Sequence, residues 1–168
     1  KFEPQEGYVR LLQIRDYKSD KFRTYIPKHL SKRWCEKEDI MIGRYGPPIF
    51  QIMRGKEGSY NVALIKAEPK STNLEKSYLY HTLCRKDLFQ LIDSFSQRTS
   101  GQTGIDMDAL NDFALPLPTR EEQKQIVAML DNMDSQIDLG NKRLQQLSAC
   151  KKALMQDLLT GKVRVKVD

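Results

Sequence analysis

Thr119-Arg120-Glu121-Glu122-Gln123-Lys124-Gln125-Ile126 opens the longest periodic stretch of the chain. Thr119 and Glu122 form a capping box, in which the threonine hydroxyl accepts from the Glu122 amide while the Glu122 side chain reaches back. Glu121 and Glu122 suit the positive end of a helix dipole. From there Ile126, Leu130, Met133, Ile137, Gly140, Leu144, Leu147, Lys151, Leu154 and Leu158 step alternately by four and three, and eight of these ten are apolar. Such spacing is a heptad seam. Gly161 supplies a left-handed stop, so the pattern predicts a helix of about 41 residues and roughly 60 Å at 1.5 Å per residue. A helix that long cannot bury its seam on a small domain, and it calls for a partner helix. The other arrangement is a helical hairpin turning at Asp138-Leu139-Gly140-Asn141, because glycine costs about 1 kcal/mol inside a helix. The heptad register runs through Gly140 without a slip, which favours the continuous helix.

Upstream the chain changes character. All six Phe, seven Tyr and the one Trp lie between Phe2 and Phe113, leaving the last 55 residues without an aromatic ring. Residues 1–86 carry 18 Lys and Arg against 10 Asp and Glu, whereas residues 87–118 carry one Arg against five acids. The formal net charge of +6 therefore understates a basic surplus of 8 in the first half. Ile, Val and Tyr concentrate at 8–14, 39–42, 49–53 and 60–65, which read as strands. Apolar residues take helical spacing over 74–83 and 86–97, with Leu88, Leu91, Ile92 and Phe95 on one stripe. Residues 100–104 have the composition of a loop, and 113–117 reads as a last strand closed by Pro116 and Pro118. The fold class is α+β: a mixed head over 1–118, a long helix over 119–161 that calls for a partner helix in a coiled coil, and a tail over 162–168.

The 168 residues, 39% of them hydrophobic, fit one ordinary domain with an appendage, and no apolar run reaches the roughly 18 residues of a membrane span. Three cysteines without CxxC spacing indicate neither a disulfide framework nor a zinc site, and fit a reducing, cytoplasmic setting. His81 and Cys84 have i,i+3 spacing on an expected helix, but no further ligands cluster with them, so no metal is expected. Phosphate-cradling GxxxxGK[ST] and GxGxxG patterns are missing. Gly46-Pro47-Pro48-Ile49 lacks the leading polar residue and following aromatic of an adenine methyltransferase motif, and reads as a rigid loop. No catalytic residue is expected.

Phe113-Ala114-Leu115-Pro116-Leu117-Pro118 running into the Thr119 to Ile126 segment, then Leu130-Asp131 and Ile137-Asp138, resembles the conserved region of the specificity subunits of type I restriction-modification systems. So does the ending Leu154-Met155-Gln156-Asp157-Leu158-Leu159-Thr160-Gly161-Lys162-Val163-Arg164. Gly7-Tyr8-Val9-Arg10-Leu11-Leu12-Gln13-Ile14-Arg15-Asp16, Asp39-Ile40-Met41-Ile42-Gly43-Arg44-Tyr45-Gly46 and the segment 101–105 resemble the framework of that family's target recognition domain. The resemblance implies a DNA reader without catalysis of its own. It implies double-stranded DNA, modification (methyltransferase) subunits and restriction subunits as partners, no membrane, and no cofactor in this chain, S-adenosylmethionine belonging to the modification subunit. Family chains carry two recognition domains, each followed by a long helix, with the helices packed antiparallel. One of each is expected here, as the second half of a longer subunit, which the start at Lys1 favours, or as a halved subunit that pairs with itself.

Duplex recognition needs phosphate contacts for affinity and base-edge contacts for specificity, with Arg the best reader of guanine and Gln or Asn of adenine. Beside Gly or aromatic residues these occur at Arg44, Tyr45, Arg54, Lys56 and Gln102, the expected DNA-facing set, with Lys21 and Arg23 on the backbone. Gly101-Gln102-Thr103-Gly104 also has the GxxG form of an RNA clamp, without the basic residues such a loop offers. A rod of roughly 60 Å corresponds to roughly 18 base pairs, so the helix is expected to set the spacing of a split target. The alternative is a homodimerising coiled-coil module whose head binds protein.

Overall fold

The computed structural model describes the backbone of residues 1–99 and 102–166, and the side chains of all of these except 97–99, 102 and 103. The chain divides into two units, Lys1–Lys124 and Gln125–Asp168. In the first, β1 (Tyr8–Leu12) is followed by a 3-10 turn, Ile14–Tyr17, and by β2 (Thr24–Pro27), β3 (Trp34–Cys35), β4 (Ile40–Gly43), β5 (Tyr45–Gly46), β6 (Gln51–Met53), β7 (Gly58–Tyr60) and β8 (Leu64–Ala67). Helices α1 (Lys76–Leu83) and α2 (Lys86–Phe95) come next, then β9 (Gln97–Thr99), β10 (Gln102–Gly104) and α3 (Met107–Asn111). The strands form three small sheets ordered β2-β1-β7-β3, β6-β4-β8 and β5-β10-β9. Among the described residues, the β1/β7 pair alone is parallel.

Strand β4 organises this unit. All four of its residues are buried. Ile40 and Ile42 point into one core with Leu79, Leu83, Leu88 and Ile92 of α1 and α2. Met41 points the other way, into a second core with Leu12, Cys35 and Leu64. Successive side chains of a strand face opposite sides, so a strand between two cores must be apolar at every position. That accounts for the unbroken Ile40-Met41-Ile42 run. Burial of each of these side chains contributes about 1.5–3 kcal/mol relative to exposure. Asp39, at the mouth of the strand, accepts from Lys76 of α1 and, at 2.9 Å, from the Glu36 amide.

Several expected boundaries differ. The stretch 60–65 is not one strand: the Asn61 side chain accepts from the Ala63 amide at 3.1 Å and its carbonyl from the Leu64 amide at 3.1 Å, a turn that separates β7 and β8 into different sheets. Strand β6 begins at Gln51, because Phe50 has φ of 54° and cannot continue a ladder from Ile49. Residues 113–117 form no strand. Pro116 and Pro118 offer no amide to a ladder, and their carbonyls accept instead from the Tyr78 hydroxyl at 3.0 Å and from Gln123 Nε2 at 2.8 Å. Residues 102–104 belong to β10 rather than to a loop, while Ser100 and Gly101 lie outside the described residues. Phe95, the last residue of the expected α2 stripe, is about half exposed.

The long helix is α4 (Arg120–Leu159), 40 residues. Its first turn belongs to the first unit. The Thr119 hydroxyl accepts from the Glu122 amide at 3.3 Å, one half of the expected box. Gln123, fully buried, accepts from the Glu75 amide and donates to the Asn73 and Pro118 carbonyls, all at 2.8 Å. Arg120 pairs with Glu75 at 2.5 Å.

In the second unit the helix continues through Gly140 without interruption, so the hairpin does not occur. Among the described residues, a Cβ at Gly140 would meet nothing within 4 Å. Met133, Ile137, Leu144 and Leu147 are each more than half exposed. The helix ends as expected: Gly161 has φ of 73°, and its amide reaches the Leu158 carbonyl at 3.2 Å.

Candidate nucleic-acid interface

Two neighbouring features of the first unit gather basic side chains. One is an open groove of about 430 Å³, lined by Ile14, Arg15 and Lys18 from the turn after β1 and by Tyr45, Gly46, Pro47 and Gln51 from β5 and the connection to β6. Backbone bonds hold its second wall. The Arg44 amide donates to Ala63 at 2.9 Å, the Arg44 carbonyl accepts from Ile105 at 3.1 Å, and Tyr45 pairs with Gly104. Gly46 is required: a Cβ there would overlap the Pro48 carbonyl oxygen, which also accepts from Gln51 Nε2 at 2.9 Å. The Arg44 guanidinium lies 5.5 Å from the Tyr45 ring centroid. Among the described residues, exposed Arg15 and Lys18 form no ion pair.

The other feature centres on Asp20. Its carboxylate is 2.5 Å from Arg10 Nη2, 2.7 Å from Lys56 Nζ and 3.7 Å from Arg23 Nη2. Hydrogen bonds from Lys56 and then Arg10 hold its pKa down to about 2. Arg10 also reaches the buried Asp16 at 3.3 Å, and Asp16 is fixed by the Gln13 amide at 2.8 Å.

The seven expected DNA-facing residues thus fall into different settings. Tyr45 lines the groove, and Arg44 precedes it with its guanidinium against the Tyr45 ring. Lys56 and Arg23, far apart in sequence, meet on Asp20. Lys21 lies in the exposed turn before β2, and its amide donates to Ser19 Oγ at 3.2 Å. Gln102 has its backbone on β10 opposite Thr99, and its side chain lies outside the described residues. Arg54 is placed differently: its guanidinium sits 3.8 Å from the Tyr80 ring centroid, stacked on α1. Such a stack binds sheet to helix.

Sequence reading passed over Arg10, Arg15, Lys18 and Asp20 as contacts. Arg15 and Lys18 carry a signal, an i,i+3 basic pair in a 3-10 turn that presents both ends outward. Arg10 carries none, because it reads as one polar position of an alternating strand. Of the expected metal-type residues, His81 packs edge-on to Tyr80 at 5.3 Å, and Cys84 caps α1. Cys35 is a core thiol whose pKa burial pushes up. The chemistry on offer is fixed positive charge, an aromatic ring and an amide side chain, the groups that bind phosphates and base edges.

A match to the type I restriction modification DNA specificity domain covers residues 7–149. The chain belongs to this family. Among relatives of this specificity family, the MjaVIII specificity subunit of Methanocaldococcus jannaschii is 31% identical over 162 residues, covering 94% of this chain and 36% of the relative. The EcoBI specificity subunit of Escherichia coli is 27% identical over 165 residues, covering 96% and 34%. The chain thus spans about a third of the length of these relatives. The crystal structure of the HsdS subunit from Thermoanaerobacter tengcongensis shares the fold, with a TM-score of 0.61 at 16% identity over 89% of this chain and 41% of that one. Mixed strand sheets followed by a long helix are therefore the specificity-family architecture.

Proposed function

We propose that this chain reads one half of a bipartite duplex DNA target within a type I restriction-modification complex. The observation that carries the reading is the groove between Arg15, Lys18 and Tyr45-Gly46, flanked by Arg44 and by the Lys56, Arg23 and Arg10 cluster, in a chain of a DNA specificity family. Arg15, Lys18, Lys21, Arg23 and Lys56 supply backbone contacts; Arg44, Tyr45, Gln51 and Gln102 stand nearest the bases. Arg54 serves the head's own packing.

In this reading α4 lies antiparallel against a second long helix, from another recognition half or a second copy, through Ile126, Leu130, Met133, Ile137, Leu144, Leu147, Leu154 and Leu158. Its exposed seam supports that, and its 40 residues span about 60 Å, roughly 18 base pairs. Methyl transfer with S-adenosylmethionine, and cleavage, belong to docked modification and restriction subunits. The test is binding of a random-sequence duplex at several salt concentrations. Arg15→Ala with Lys18→Ala should weaken it and flatten the slope of log K against log salt by about 2, since each lost phosphate contact removes about 0.9. An unchanged affinity and slope would remove the groove from the interface.

One observation favours the alternative of a protein-binding head. A groove of about 580 Å³ runs between β8, α1, α3 and residues 113–117, with Ile65, Leu74, Leu83, Leu110 and Leu117 among its lining. DNA affinity indifferent both to sequence and to Arg44→Ala would select that reading.

A further inference from the structure

The Asp20 cluster holds more than a surface ion pair. Arg10 comes from β1, Arg23 from the approach to β2 and Lys56 from the connection between β6 and β7, yet all three point at one carboxylate. That carboxylate is 41% exposed, so solvent and a large anionic ligand can reach it. A phosphodiester oxygen and a carboxylate oxygen make the same charge-assisted bonds to guanidinium and ammonium groups.

Two roles for Asp20 can be separated on the geometry. If it alone positioned Arg10, that guanidinium would have no other anchor. Arg10 has one: Asp16, 1% exposed, holds the same guanidinium from the protein side. Three cations against Asp16 and Asp20 leave the cluster net positive, and its local charge rises by one if Asp20 is vacated. Asp20 therefore neutralises Arg10 without being its sole anchor, and it is the carboxylate on which Lys56 and Arg23 meet.

We infer that Asp20 is an internal phosphate surrogate, which occupies the Arg10, Arg23 and Lys56 site in the free protein and yields it to a backbone phosphate of duplex DNA. The inference rests on the DNA-reading function proposed above. Its consequence is a brake on non-specific binding, because sequence-independent affinity comes almost wholly from phosphate contacts.

The test measures anisotropy of a labelled random-sequence duplex with the full chain, from about 50 to 200 mM salt, a range over which such contacts dominate. Asp20→Asn should bind about fivefold tighter at the low-salt end, the effect of removing one like charge about 4 Å from a phosphate in water. Its salt slope should stay near that of wild type, because both complexes hold the same phosphate. The same substitution in a Lys56→Met background should gain much less, because the masked ammonium is gone. Weaker or unchanged binding by Asp20→Asn overturns the inference and makes Asp20 a positioning residue or a bystander. A gain that persists undiminished without Lys56 also overturns it, as an effect of net charge alone. Failure of wild type and Asp20→Asn alike to bind DNA at low salt overturns the DNA reading itself, and the inference with it. Circular dichroism melts accompany each variant. Exposed ion pairs contribute little to stability, and Asp20→Ser repeats the measurement if the asparagine variant melts early.

Discussion

Gln123→Met should destabilise the first unit by about 3 kcal/mol while leaving side-chain volume nearly unchanged. Wild-type Gln123 is fully buried and makes three hydrogen bonds of 2.8 Å, accepting from the Glu75 amide and donating to the Asn73 and Pro118 carbonyls. Methionine fills the space and makes none of them. At about 1 kcal/mol for each lost bond the sum is about 3 kcal/mol, and Gln123→Ala adds about 1 kcal/mol for the lost methylene and the space it leaves. A chain of this size loses about 2–4 °C of Tm per kcal/mol, so the methionine variant should melt about 6–12 °C lower. Gln123→Glu should be no milder, since its second oxygen faces two carbonyls and the charge is buried. Thermal melts by circular dichroism give the stability. Hydrogen exchange at the Glu75 amide shows whether that particular bond is lost. A methionine variant that melts within about 2 °C of wild type, with the Glu75 amide still protected, would refute the view that this glutamine joins the start of α4 to the loop before α1.

Replacing Leu144 and Leu147 with serine removes two apolar seam positions and should convert a chain that sediments as a pair into one of single mass; unaltered molar mass by light scattering would count against the seam. Arg54→Ala removes the stack on Tyr80 and should cost about 1 kcal/mol, seen as a Tm about 2–4 °C lower, whereas an unchanged melt would return Arg54 to the list of DNA contacts. The acid limb of stability should follow Asp39 and, to a smaller extent because its ion pairs are exposed, Asp20. Lys56 and Arg10 hold Asp20 down to about 2, and against the opposing effect of burial Lys76 and the Glu36 amide hold Asp39 below its ordinary value. Folded values below an unfolded value of about 3.9 mean that their contribution is complete above about pH 4 and is lost as pH falls toward 2. Denaturant melts at stepped pH should show that loss diminished in Asp20→Asn.

The parts of this protein that were legible in advance are those governed by neighbours a few residues away. The Thr119 cap, the heptad steps through Gly140 and the stop at Gly161 each depend on contacts within one or two helical turns, and α4 follows them closely. The run Ile40-Met41-Ile42 likewise marked a strand, although not that it lies between two cores. Residues 60–65 and 113–117 misled for one reason. Both have strand-like composition, but an asparagine side chain closes a turn in the first, and in the second the proline carbonyls bond to Tyr78 and Gln123. Gln123 looked like one more polar helix residue, because its partners lie 48 and 50 residues upstream.

The same distinction divides the site. By itself the sequence determined that a basic, aromatic-rich head precedes an aromatic-free helix with an unsatisfied seam, since charge counts and periodicity need no coordinates. Only the tertiary structure decided which cations share a place. It joined Lys56 to Asp20 across 36 residues, turned Arg54 onto Tyr80, and set Arg15 and Lys18 opposite Tyr45 across the groove. Ion pairing and stacking act over a few ångströms, and which side chains come that close is set by how the sheets fold the chain back on itself.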